Sequence, residues 1–79
     1  MPIVLRWRGH SFFFFSNEGN PREPIYIHVR LGDATAKFWL NPVQIADSYG
    51  FSAKKLRQLA AVVEQHRGAI ERAWHEHFG

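Results

Sequence analysis

The chain has no cysteine among its 79 residues. Neither a disulfide framework nor a thiolate metal site can staple the fold, which fits a reducing compartment. No apolar run nears the roughly 20 residues of a membrane-spanning helix. A secretory leader is not expected either, because Met1 to Leu5 meets Arg6 almost at once. The expected location is cytoplasmic, with no membrane partner. Acidic residues are the minority, seven against ten Lys and Arg, for a net charge of +3 with histidines neutral. That excess tolerates a polyanion without requiring one. No block of five like charges occurs, which excludes a disordered basic tail, and no solenoid-type repeat is present. One domain, residues 1–79, is all this length allows, and at this size only about 60% of the unfolded surface is buried. What is abundant is aromatic: seven Phe, three Trp and two Tyr supply large buried areas per residue.

The stretch from Ile25 to Leu40 reads as one β-hairpin. Ile25, Ile27, Val29 and Leu31 alternate with Tyr26, His28 and Arg30, the period-two signature of a half-buried strand. Gly32-Asp33 offers a two-residue turn, and glycine takes the positive φ such turns need. That loop sets the register: Leu31 with Ala34, Val29 with Ala36, Ile27 with Phe38 and Ile25 with Leu40, all apolar. The opposite face pairs Arg30 with Thr35, His28 with Lys37 and Tyr26 with Trp39. A slip of one residue would mix the two sets.

Two strands precede it. Ile3 to Arg8 alternates, Gly9-His10 is the expected turn, and Ser11 to Ser16 contains Phe12-Phe13-Phe14-Phe15. This turn sets Trp7 opposite Phe12, Arg6 opposite Phe13, Leu5 opposite Phe14 and Val4 opposite Phe15. Four successive Phe cannot share one face of a strand, so two of them fall on the side of Arg6 and Arg8. Residues 17–24 (NEGNPREP) form a turn-rich connector.

The second half is expected to be helical. Asn41 followed by Pro42 is a good helix start, and Gly50 a good stop. Ser52 then caps a longer helix whose Leu56, Leu59, Ala60, Val63, Ile70, Ala73, Trp74 and Phe78 keep three-four spacing. The expected fold is α+β: a four-stranded, mostly antiparallel sheet of two hairpins, followed by a short and a long helix packed on one face.

Chemistry concentrates on the polar side of the hairpin. Tyr26, His28, Arg30, Lys37 and Trp39, extended by Arg6 and Arg8, suit a surface for RNA or for an acidic protein, since cations meet phosphates and flat rings stack on bases. The plainer alternative is a solvated sheet face with modest cross-strand pairs. Burial by a second subunit accounts for the aromatics equally well, which makes a structural homodimer a further reading. A catalytic reading uses His28 and Glu18 as acid and base, with Arg30 and Lys37 for developing charge, as in metal-independent cleavage of RNA. Any small chain holds such residue types, so the composition names no reaction. No metal site is expected: His75 and His77 lie about 200° apart on a helix, without the i, i+4 spacing of zinc ligands, and His66 falls at the edge of the apolar stripe. No cofactor is implied.

Several blocks together resemble a known family. They are Met1-Pro2-x-Val4-Leu5-Arg6, Phe15-Ser16-Asn17-Glu18-Gly19, Ile27-His28-Val29, Ala36-Lys37-Phe38-Trp39-Leu40-x-Pro42-Val43, Gly50-Phe51-Ser52, Glu64-x-His66 and Ala73-Trp74-x-x-x-Phe78. In these the chain is similar to the small bacterial family catalogued as domain of unknown function 4160. The family usually reads Glu-Pro-Pro-His-hydrophobic-His-Val where this chain has Glu23-Pro24-Ile25-Tyr26-Ile27-His28-Val29. Tyr26 thus replaces the first of two histidines, which favours a stacking or hydrogen-bonding role over a histidine pair. The resemblance implies a compact cytoplasmic protein, often encoded beside another small protein in an arrangement like a toxin–antitoxin pair. It implies no reaction and no catalytic residue. The leading expectation is a small interaction protein that binds a co-encoded partner and, through the same face, RNA.

Overall fold

The computed structural model describes residues 3–15 and 24–78. Five strands come first, β1 (Ile3–Trp7), β2 (His10–Phe13), β3 (Tyr26–Leu31), β4 (Ala34–Leu40) and β5 (Val43–Tyr49), followed by α1 (Ala53–Gln65) and α2 (Arg67–Phe78). The strands lie in chain order in one sheet, every neighbouring pair antiparallel. The fold is α+β as expected, with five strands rather than four and two helices of similar length.

The central hairpin has the register its polarity pattern demands, from Tyr26 opposite Trp39 to Leu31 opposite Ala34. The Leu40 N–H donates to the Ile25 carbonyl at 3.3 Å, which closes the open end. Its apolar side, Ile27, Val29, Ala36, Phe38 and Leu40, is buried against Leu59, Val62 and Val63 of α1 and Ile70 and Trp74 of α2.

The first hairpin departs from expectation by two residues. Its turn is Arg8-Gly9, so Trp7 pairs with His10, Arg6 with Ser11 and Leu5 with Phe12, and a bulge at Val4 then brings Ile3 opposite Phe13. Both turn residues have positive φ, 47° at Arg8 and 79° at Gly9, which suits the right-handed twist of the strands they join. His10 explains why the turn sits there. Its Nδ1 donates to the carbonyls of Trp7 (2.9 Å) and Arg8 (3.1 Å), and its ring stacks on Phe51. At 1% exposure His10 is a core residue, so it cannot serve as a loop tip. The shift is even, so Leu5 to Trp7 and Ser11 to Phe13 keep their faces, Phe12 entering the core and Phe13 lying on the other side. The bulge moves Ile3 to the side of Phe13 and lets Val4 pack against the core, where Phe14 is also buried. A left-handed conformation at a residue other than Gly, Asn or Asp costs about 1–2 kcal/mol. Arg8→Asn is therefore expected to gain roughly 0.5–1 kcal/mol, once a lost stacking of Arg8 on Trp7 is deducted. Urea unfolding checks it, and a loss of stability would mean the Arg8–Trp7 contact outweighs the backbone cost.

The expected short helix from Asn41 to Gly50 is instead a tight turn and a strand. Asn41 and Pro42, joined by a cis peptide bond, link Leu40 to its partner Val43. β5 then pairs with β4 along its length, with a bulge between Ile45 and Asp47. A strand accounts for the residues better than a helix: Val, Ile and Tyr recur in seven positions, and β4 would otherwise end the sheet with its hydrogen-bonding edge bare. Beyond Gly50 the helical reading holds. Ser52 caps α1, its Oγ accepting from the Lys55 N–H at 3.0 Å. The long helix is broken at His66, half-buried with φ −106° and ψ 15°, although hydrogen bonds from His66 N to Val62 O and from Ile70 N to His66 O carry the ladder across. Neither helix is long and apolar enough to cross a membrane.

Candidate recognition face

Both helices pack on one side of the sheet, so the polar sides of β1 to β5 share the other. Antiparallel register stacks those side chains into rows that run across the strands. One row crosses all five: Arg6, Ser11, Arg30, Thr35 and Tyr49. At about 4.8 Å between strands it spans about 19 Å. The next row also crosses all five strands, with Ile3, Phe13, His28, Lys37 and Asp47, and the one after it holds Tyr26, Trp39 and Gln44.

The candidate residues do not all take equivalent places. Arg6 and Arg30 are exposed, and the Arg30 guanidinium lies 5.5 Å from the Phe13 ring centroid, which holds it over the sheet. Among the described residues the ion pair present is Arg67 with Glu64 on the helices, so no described carboxylate neutralises Arg6 or Arg30. Lys37 is differently held. Its Nζ sits 4.2 Å from the Tyr26 ring and 4.7 Å from the Trp39 ring, boxed between the two aromatics. Trp39 is half-buried against that ammonium.

Tyr26 is only 2% exposed. It is the first residue of β3, 5.0 Å from Trp74 of α2 and 5.7 Å from Trp39. Its ring is thus a core element and the floor of the Lys37 site, with little area to offer a base. His28 is half-buried among Phe13, Phe15 and Tyr26, at centroid distances of 5.5, 4.7 and 5.5 Å. Arg8 leaves the set: its guanidinium lies 5.0 Å from the Trp7 ring, beside Lys55, on the helix side. Trp7 points that way because it pairs with the buried His10. Glu18 lies outside the described residues.

The structure adds residues that the sequence alone did not assign. Asp47, Gln44 and Tyr49 join the face because residues 43–49 are a strand, and Tyr49 is 72% exposed. A depression of about 100 Å³ is lined by His28, Thr35, Ala36, Lys37, Asp47 and Ser48. The Asp47 carboxylate accepts the Ser48 N–H at 2.9 Å beside it. On the far side a groove of about 460 Å³ runs between β1 and α2, lined by Ile3, Val4, Phe14 and Arg72, Glu76 and His77 among others. The two exposed histidines, His75 and His77, do not converge, and among the described residues no three His, Cys, Asp or Glu side chains come together to hold a metal ion.

The face is therefore chemically graded. Exposed guanidiniums and hydroxyls occupy the end near the β3–β4 turn, boxed and stacked rings the other end, and one carboxylate the β5 edge. Such a surface can hold a flat, anionic or aromatic partner by many weak contacts. An enclosed substrate needs a pocket of about 300–1,000 Å³, several times the depression beside His28.

Residues 9–75 match the model of one protein family, described as Domain of unknown function (DUF4160). No curated protein and no solved structure gives a match.

Proposed function

This chain belongs to the DUF4160 family, and from that premise we propose that it is a non-enzymatic interaction protein of toxin–antitoxin type, which docks a small protein encoded beside it through the open face of its sheet. The observation that carries this reading is the side of the sheet that neither helix covers, where Arg6, Arg30, Trp39 and Tyr49 stand together. Arg, Trp and Tyr dominate the few positions that supply most binding energy at protein interfaces. Arg30 is also held over the Phe13 ring, so less side-chain freedom is lost when a partner closes over it.

A ribonuclease has less behind it. His28 is wedged among three rings, Lys37 is boxed by two, and the hollow beside them holds about 100 Å³. An acid–base pair must instead reach a substrate proton within about 3 Å.

Co-expression with the neighbouring gene product, followed by affinity capture, tests the proposal. The two proteins are expected to elute together, and the double change Arg6→Glu and Arg30→Glu to weaken the complex at least tenfold. Both side chains are exposed, so the variant keeps its fold. Absence of co-elution, together with no effect of either gene on growth, overturns it.

A further inference from the structure

The row Arg6, Ser11, Arg30, Thr35 and Tyr49 crosses all five described strands on the open face, as the neighbouring row from Ile3 to Asp47 also does, and it is the one that carries both exposed guanidiniums. Its first four members are hydrogen-bond donors, two guanidiniums alternating with two hydroxyls, and it contains no carboxylate. It ends on the most exposed large hydrophobic side chain described, Tyr49 at 72%. Asp47, the carboxylate of this face among the described residues, lies in the neighbouring row opposite Lys37.

We propose that this row is a binding track for single-stranded RNA, with Arg6 and Arg30 on phosphates, the Ser11 and Thr35 hydroxyls between them, and one unstacked base on the Tyr49 ring. The inference rests on the reading of the open face as the working surface, and adds the chemistry of a ligand. Charge complementarity selects a polyanion, because neither guanidinium is neutralised by a described carboxylate. Arg, Ser and Thr side chains are regular partners of phosphate oxygens. The ring decides between polyanions. An acidic polypeptide matches the donors through its carboxylates, whereas a single strand matches donors and ring together, with phosphates on the guanidiniums and a base stacked on Tyr49. A duplex keeps its bases stacked internally and cannot supply that contact. At about 4.8 Å per strand, Arg6, Arg30 and Tyr49 succeed one another at intervals of about 10 Å. That spacing leaves room for a short run of nucleotides along the row.

Fluorescence anisotropy with a labelled oligouridine, measured over a series of salt concentrations, is the test. Saturable binding is expected, with log affinity falling linearly against log salt. Arg6→Ala and Arg30→Ala should each reduce that slope by about 0.7, one phosphate contact on a single strand. Tyr49→Ala should weaken binding about tenfold and leave the slope unchanged, the mark of a lost stacked base. Duplex RNA and polyglutamate should compete poorly. Absence of saturable binding overturns the proposal. So does equal competition by polyglutamate with Tyr49→Ala silent, which would identify an acidic protein as the occupant. Capture of the co-encoded protein is scored separately, so the RNA track can fail while the protein-docking reading stands.

Discussion

Trp74→Ala is expected to lower the free energy of unfolding by about 3–5 kcal/mol, the usual range for truncating a large buried aromatic. A domain of this length has about 4–12 kcal/mol in total, so the variant stands at or near the edge of folding. Trp74 matters because of where it sits. It meets Phe14 edge-on at 5.3 Å, Phe78 at 4.6 Å and Tyr26 at 5.0 Å, and is itself 4% exposed. It therefore joins α2 to the segment after β2 and to the start of β3. Its loss leaves a cavity that three aromatic rings cannot close without abandoning their other contacts. The effect should reach the open face, since Tyr26 is one wall of the Lys37 box. Urea unfolding followed by far-ultraviolet circular dichroism measures the change, with Phe78→Ala, at a half-buried chain-end position, as the milder comparison. A loss below about 1 kcal/mol for Trp74→Ala would mean that α2 is not packed on the sheet as described.

Gly50→Val is expected to cost about 2–4 kcal/mol, although Gly50 is exposed and contributes no side-chain packing. Two effects add. Gly50 has φ +83°, a left-handed conformation that costs an ordinary residue about 1–2 kcal/mol and a β-branched one more. A Cβ there would lie 3.2 Å from both the Cα and the Cβ of Ala34. The first of these is backbone, anchored by the β3–β4 pairing of Ala34 with Leu31, so it cannot step aside. Gly50→Ala should show the milder part of the penalty, about 1–2 kcal/mol. Thermal unfolding of the two variants gives the order, and equal stability of Gly50→Val with the parent would show that the chain turns from β5 to α1 in another way.

The positions of these two residues also show how far local pattern reaches. Gly50 was legible as a stop, because a glycine after a run of ordered residues ends either kind of element. Which element it ended was not. Asn41-Pro42 is the start of a helix by local preference, and seven residues are too few for periodicity to separate strand from helix. The outcome rests on β4, whose outer edge β5 pairs. Trp74 was legible as a core position from three-four spacing, yet its contact with Tyr26 was not, since it joins residues 48 positions apart in the chain. For that reason Tyr26 read as an exposed aromatic of the polar face and is a buried one. Arg8 failed similarly: it was assigned to the side of Arg6, and a turn at Arg8-Gly9 swings it over Trp7.

What the sequence by itself determined is the sorting of side chains between faces. Alternation assigns Ile27, Val29, Ala36 and Phe38 to the core and His28, Arg30 and Lys37 to the open side. In the first hairpin the two-residue shift leaves Leu5, Arg6 and Trp7 on their expected faces, the exceptions being Arg8 in the turn and Ile3 and Val4 at the bulge. A strand has period two, so only an odd slip exchanges faces, and burial of one face penalises every residue of such a slip. What only the tertiary structure decided is which elements meet. Long-range contacts moved the first turn to Arg8-Gly9 by burying His10, made a strand of residues 43–49, and set Tyr49 at the end of the row that begins at Arg6. Pairing energies of that kind belong to two distant segments at once, and no window of the chain contains both.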